Sequence, residues 1–254
     1  MHANDYIAVF DSGVGGLSVL RHLRRLMPRE RYVYFGDCGN APYGSRSTED
    51  VRRLALEAAE NLITNYPVKA LVVACNTATS AAIGILRAKY PDLIVIGIEP
   101  ALKLAADAFP GGRIGVMATQ VTLREEKFDT LVHRFDTGCQ VMKIPAPGLV
   151  ELIEAGQGGE AEADALLEEI LGPYRGKLDA LVLGCTHYPF AAAAISRVMG
   201  QHTALFDGGG GTARETRRRL EQACLLRTQG EGGLILTASG NTAQFLQLAD
   251  QLLR

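Results

Sequence analysis

Two cysteines in matching surroundings carry the strongest chemical signal in this chain. The segment ALVVACNT runs from Ala70 to Thr77, and ALVLGCTH runs from Ala180 to His187. In each, an apolar run with strand character ends in cysteine, and hydroxyl or amide residues follow at once. A thiol delivered to the end of a buried strand, ahead of a helix N-terminus, sits in a field that favours the thiolate. Two such thiols, Cys75 and Cys185, one from each half of the chain and paired across a cleft, would form an acid–base pair. A lone cysteine after an apolar strand is usually a small buried hydrophobe. The duplicated setting argues for chemistry instead.

The neighbours of each thiol fit that reading. Asn76, Thr77 and Thr186 offer donors suited to a carboxylate or an ammonium group. His187 stands close enough to Cys185 to tune its ionisation. Glu151, in GLVELIEAG, would either serve as a carboxylate beside His187 or be a solvated helix residue. Zinc needs paired ligand spacings, and Cys185 with His187 supplies only CxH, so no metal is expected. Cys38, Cys139 and Cys224 lack comparable surroundings.

Two further motifs follow apolar strands. DSGVGGL, Asp11 to Leu17, would cradle an anion with its backbone amides, or simply provide a tight turn and close packing. A dinucleotide fingerprint would want glycine where Ser18 stands, which disfavours a nicotinamide cofactor. Asp11 and Ser12 are its informative members. In DCGNAPYG, Asp37 to Gly44, the Pro42–Tyr43–Gly44 turn is either structural or, through Tyr43 and the Gly44 amide, a carboxylate site. Thr119, after the strand at Ile114 to Met117, would line the cleft from the second half or serve as a helix-entry residue.

Short apolar runs alternate with longer amphipathic stretches, the pattern of parallel strands joined by crossover helices. Strands are expected at 7–10, 33–35, 71–74, 94–98, 114–117, 141–144, 181–183, 204–206 and 234–237. Helices are expected at 48–64, 79–89, 122–134, 161–174, 212–227 and 241–253. Capping boxes are read at Thr122 with Glu125 and at Thr212 with Glu215. The glycine run from Gly208 to Gly211 reads as a loop and a domain crossover. The expected architecture is α/β, with two pseudo-symmetric, doubly wound domains and mainly parallel sheets. Residues 1–98 with 209–254 form the first domain and 99–208 the second, with the site in the cleft between them, beyond the strand ends.

Composition removes other classes. The 254 residues are 47% hydrophobic and 21% charged, with a net charge of −2. No apolar run approaches the roughly 20 residues of a membrane-spanning helix. The start, MHANDYIAVF, lacks the layout of a signal peptide. The only basic run, Arg217 to Arg219, points in different directions on a helix, so nucleic acid is not an expected partner. Five cysteines without CxxC spacing do not resemble a disulfide framework, and a cytoplasmic, reducing setting suits reactive thiols.

DSGVGGL, GDCGNAPYG, ACNTAT and GCTHYP, in this order and at these separations, resemble the glutamate racemases, and the likeness runs from Asp11 to at least Asp207. In the wider group of cofactor-independent amino-acid racemases, aspartate racemases typically carry glutamate after the second Cys-Thr, where this chain has His187. The resemblance implies a fold of two related α/β domains and no pyridoxal phosphate, metal or nucleotide. It also implies substrate contacts at Asp11, Ser12, Tyr43, Gly44, Asn76, Thr77, Thr186 and His187. By the same resemblance Cys75 deprotonates D-glutamate and Cys185 L-glutamate, with Asp11, His187 and Glu151 assisting proton transfer. Relatives supply D-glutamate for peptidoglycan and form homodimers. Cys38-Gly39-Asn40 departs from the Thr-Ala-Arg that relatives often have there, and four glycines follow Asp207. The alternatives are an aspartate racemase of the same fold and a non-catalytic binder of amino acids or anions.

Overall fold

The structure is a computed structural model, and it describes residues 1–124, 130, 138–159 and 161–253. Its strands are β1 (Tyr6–Asp11), β2 (Arg31–Gly36), β3 (Val68–Val73), β4 (Ile94–Gly97), β5 (Arg113–Ala118), β6 (Gln140–Pro145), β7 (Ala180–Leu183), β8 (Ala204–Asp207) and β9 (Gly233–Ala238). Each expected strand is present, extended or trimmed by a few residues. The described helices are α1 (Leu17–Leu26), α2 (Thr48–Asn65), α3 (Asn76–Lys89), α4 (Leu102–Ala108), α5 (Gln120–Arg124), α6 (Leu149–Glu154), α7 (Ala161–Leu171), α8 (Ala192–Met199), α9 (Gly209–Gln222) and α10 (Thr242–Leu253).

The chain divides into two compact units, Met1–Glu99 with Gly209–Arg254, and Pro100–Gly208. The first holds a sheet in the order β4-β3-β1-β2-β9, the second a sheet in the order β6-β5-β7-β8. Every pairing in both is parallel. Parallel strands need crossover connections, which cover the sheet faces and make the strands apolar on both sides. In the first unit, Ala8, Phe10, Leu71 and Val73 pack with Leu54, Ala58, Leu62 and Ile83 of α2 and α3. On the other face, the Tyr32 hydroxyl donates to the Leu23 carbonyl in α1, and Tyr34 stacks on Phe245 of α10 at 5.9 Å. In the second unit, Met117, Ile144 and Leu181 meet α6, α7 and α8. Ile114, Val116 and Val182 meet α4 on the opposite face.

Several helix expectations are corrected. The helix expected from Thr79 begins at Asn76, because Cys75 rather than a later residue is its N-cap. Gly209 to Gly211 are not a loop but the first turn of α9, so Thr212 lies inside that helix rather than capping it. There the Thr216 hydroxyl donates back to the Thr212 carbonyl at 2.8 Å. The expected helix at 122–134 and its Thr122–Glu125 box lie largely outside the described residues. Among the described residues, no helix is long and apolar enough to cross a membrane.

In each sheet the connections reverse direction around one strand. From β1 the chain passes to β2 on one side and then to β3 on the other. From β5 it passes to β6 and then to β7. The loops leaving β1 and β3, and those leaving β5 and β7, therefore flank a switch point, where a crevice opens beyond the carboxyl ends of the strands. Asp11 ends β1, and Cys75 follows β3. Thr119 follows β5, and Cys185 follows β7.

Candidate functional site

In the first unit, register brings the loop ends together: Phe10 pairs with Val73 and Asp11 with Gly36. Cys75 is 5% exposed and adopts extended backbone (φ −72, ψ 121) at the N-cap of α3, where its Sγ accepts the Ala78 N–H at 3.4 Å. Sulfur thus takes the place of the usual capping oxygen and meets the positive end of the helix dipole. Its thiol lies 3.6 Å from Ser12 Oγ. Asp11 is fully buried, and its Oδ1 accepts the Gly13 N–H at 2.9 Å. This loop sits so close to the strand ends that a Cβ on Gly16 would fall 2.7 Å from that of Asp11. Glycine is required there for the close approach rather than for its dihedral freedom. Asn76 and Thr77, the first two residues of α3, are buried. The Asn76 Oδ1 has no hydrogen-bond partner among the described residues. A buried acceptor left unpaired costs about 1–3 kcal/mol, which a donor on a ligand would recover.

Tyr43 and Gly44 open a short 3₁₀ turn, Tyr43–Ser45. The Tyr43 hydroxyl donates to Asp37 Oδ2 at 2.6 Å. Burial holds its pKa far above the ordinary tyrosine value, and the hydrogen bond to Asp37 adds to this, as do the charges of Asp37, Cys75 and Asp11. With its proton committed to Asp37, the phenol has none to give a carboxylate. A carboxylate at this loop would meet the backbone amide of Gly44 instead.

In the second unit, Cys185 is 8% exposed, and its Sγ lies 3.6 Å from His187 Nδ1. Across the ring, His187 Nε2 meets Glu154 Oε1 at 2.6 Å. The expected carboxylate was Glu151, and the structure corrects this to Glu154, one turn further along α6. Leu149, Val150 and Ile153 set the buried face of α6, and Glu154 borders that face, whereas Glu151 is exposed on the far side. Helical periodicity alone would have separated the two.

Unlike Cys75, Cys185 caps no α-helix. A turn and a 3₁₀ segment, Tyr188–Ala191, intervene, with Pro189 near the start of that segment. The histidine takes the part that the helix dipole plays at Cys75. Thr186 is buried beside them. Thr119 caps α5: its Oγ1 accepts the Thr122 N–H at 3.3 Å, as a helix-entry residue does. Among the described residues there is no cluster of three or more potential metal ligands.

Burial opposes charge on His187, but hydrogen bonds to the Cys185 sulfur and the Glu154 carboxylate outweigh it and raise its pKa well above the ordinary histidine value. A raised folded-state pKa means that the proton stabilises the fold. That stabilisation is complete below about pH 6.5 and is lost as pH rises through the folded-state value. His187 is therefore expected to remain imidazolium at neutral pH, with both ring nitrogens protonated in ¹⁵N NMR spectra. A neutral tautomer at pH 7 would contradict this assignment.

A sequence profile described as Asp/Glu/Hydantoin racemase matches residues 12–216, which include both cysteine motifs. A glutamate racemase from Clostridium botulinum (strain Alaska E43 / Type E3) is 45% identical over 252 residues, covering 98% of this chain and 97% of the relative. Among solved structures, glutamate racemase isoform RacE1 from Bacillus anthracis superposes with a TM-score of 0.91 at 32% identity, covering 99% of this chain and 95% of that one. The glutamate racemase from Francisella tularensis subsp. tularensis SCHU S4, solved in complex with D-glutamate, gives 0.87 at 27% identity, covering 99% and 94%. With the profile spanning most of its length and the identity extending through both units, the chain belongs to the Asp/Glu/Hydantoin racemase family, whose members are isomerases.

Proposed function

We propose that this chain interconverts L- and D-glutamate by moving the α-proton between two cysteines. The observation that carries the reading is the pair of differently supported thiols. Cys75 has a helix N-terminus and the Asp11–Ser12 loop, and Cys185 has the His187–Glu154 pair. Inversion of a stereocentre requires a proton to leave one face and another to arrive on the opposite face, and a single thiol does not reach both. In the proposed reaction the Cys75 thiolate takes the α-proton of D-glutamate and the Cys185 thiol protonates the opposite face of the carbanion. Cys75 is then a thiol and Cys185 a thiolate, the state that starts the reverse reaction.

The α-proton is far less acidic than a thiol of pKa about 8.5, so fixed donors must stabilise the carbanion. Asn76, Thr77, Thr186 and the Gly44 amide are assigned to the substrate carboxylates and ammonium, and His187 with Glu154 to the charge at Cys185. The two units are assigned as two domains with the substrate in the cleft between them. The mechanism asks for no organic cofactor or metal, since the thiols and fixed donors supply its parts. The same reading makes the chain a cytoplasmic homodimer that provides D-glutamate for peptidoglycan. Glutamate is favoured over aspartate by the near full-length likeness to glutamate racemases and by His187 after the second Cys-Thr.

The test is racemisation of L-glutamate in deuterated water without added cofactor, followed by circular dichroism and mass spectrometry, with aspartate alongside. Newly formed D-glutamate is expected to carry deuterium at the α-carbon, with little in the recovered L-glutamate at early times. Equal early labelling of both pools would favour one exchanging base. Tight glutamate binding without α-proton exchange would make the chain a binder.

A further inference from the structure

The segment Cys38-Gly39-Asn40 departs from the resembling family and has no part in the proton chemistry, yet it meets the far end of the chain. Ser239 ends the β9 region, and its backbone N–H donates to the Gly36 carbonyl at 3.0 Å, which extends the β2–β9 pairing by one bond. Its hydroxyl donates to Asp37 Oδ1 at 2.6 Å and accepts the Gly39 N–H at 2.9 Å. A hydroxyl has one proton and two lone pairs, so this one joins the two groups with its proton fully committed. Asn40 Nδ2 lies 3.1 Å from both oxygens of Asp37, and Tyr43 fills Asp37 Oδ2 from the other side. A Cβ on Gly39 would come within 3.1 Å of Ser239 Oγ and 3.2 Å of Gly240 N, tighter than side chains ordinarily allow. Glycine at 39 lets the two turns approach.

We propose that Ser239 is a positioning residue for substrate binding: it locks the Asp37 carboxylate, and through Asp37 the Tyr43 hydroxyl, so that the Tyr43–Gly44 turn is held in its binding geometry. This rests on the assignment of the Gly44 turn to a substrate carboxylate. Asp37 is buried with its oxygens already directed, and a buried carboxylate that loses one of its donors turns toward the remaining ones. Here those are Asn40 and Tyr43, which sit on the very loop whose shape is at stake. Ser239 touches neither cysteine, so its removal changes how substrate is held rather than how the proton moves.

Ser239→Ala is expected to raise KM for glutamate about tenfold, the scale of one hydrogen bond to a charged group, with kcat within about twofold. Ser239→Thr, which keeps the hydroxyl, restores KM. In a Tyr43→Phe background the Ser239→Ala change should raise KM clearly less than it does in wild type, because the Asp37–Tyr43 arm of the chain is already cut and only the Asn40 bond to Asp37 remains. An unchanged KM in Ser239→Ala overturns the proposal. So does a fall in kcat without a change in KM, which marks a structural role, or full additivity with Tyr43→Phe. A wild-type protein that does not racemise glutamate removes the underlying assignment instead. That outcome is read before any variant is made.

Discussion

Replacing either cysteine by alanine is expected to lower kcat for glutamate racemisation by about 10³-fold or more in both directions, with the circular dichroism spectrum and urea midpoint close to wild type. The magnitude follows from the loss of a positioned proton donor or acceptor, which typically contributes about 10²–10⁴-fold. Here neither thiol can substitute for the other, since each would serve one face of the stereocentre. The fold is expected to survive because the sulfur contacts to Ala78, Ser12 and His187 are long, 3.4 Å and 3.6 Å at Cys75 and 3.6 Å at Cys185, beside loops rather than inside a sheet. A Cys75→Ala enzyme that still racemises at near wild-type rate would defeat the two-thiol mechanism outright. Retained α-proton exchange with one enantiomer alone is compatible with it, because the remaining thiol still faces that enantiomer's proton.

The second large effect concerns stability, at the opposite ends of the strands from the thiols. Lys69, near the start of β3, and Glu30, just before β2, are both fully buried and lie 2.6 Å apart. Lys69 Nζ also donates to the carbonyls of Ala3 at 2.6 Å and Leu225 at 2.9 Å, so each of its three protons has an acceptor. The other Glu30 oxygen accepts the Arg227 N–H at 2.8 Å. Burial lowers the lysine pKa, and the Glu30 hydrogen bond and charge act against that.

One ammonium thus ties the N-terminal segment, β3 and the connection between α9 and β9 to a single carboxylate. Lys69→Met leaves that carboxylate buried with only a backbone donor, and the expected loss is about 3–5 kcal/mol. It would be read as a fall in the urea midpoint at unchanged slope. The double variant Lys69→Met/Glu30→Leu should recover much of the loss, because it removes the stranded charge as well. A single variant as stable as wild type would show that the pair contributes nothing net.

All nine described strands were legible because parallel strands covered on both faces must be apolar throughout, and short runs such as ALVV and ALVL show this directly. Helix boundaries were less so. The helix after the DSGVGGL loop, Leu17–Leu26, was expected without bounds, although Leu17, Leu20 and Leu23 repeat at helical spacing, because the glycine-rich loop before it masks its start. The short helices Leu102–Ala108 and Ala192–Met199 were missed. Alanine-rich stretches of this length carry little periodic signal, and they become helical by packing on a sheet. Gly209–Gly211 were misread because glycine opposes helix by propensity, and tertiary packing overrode that preference.

The sequence by itself determined where the thiols stand. Strand, cysteine and the residues after it are contiguous, so local periodicity places Cys75 and Cys185 beyond the ends of buried strands. Only the tertiary structure decided what each polar group meets. His187 bonds Glu154 from 33 residues away, and Asp37 bonds Ser239 from 202 residues away. Such pairs form when strand order and helix rotation bring distant loops together. Local periodicity can say which face of a helix is turned inward, as it does for Glu154 against Glu151, but no short window says which distant loop that face will meet.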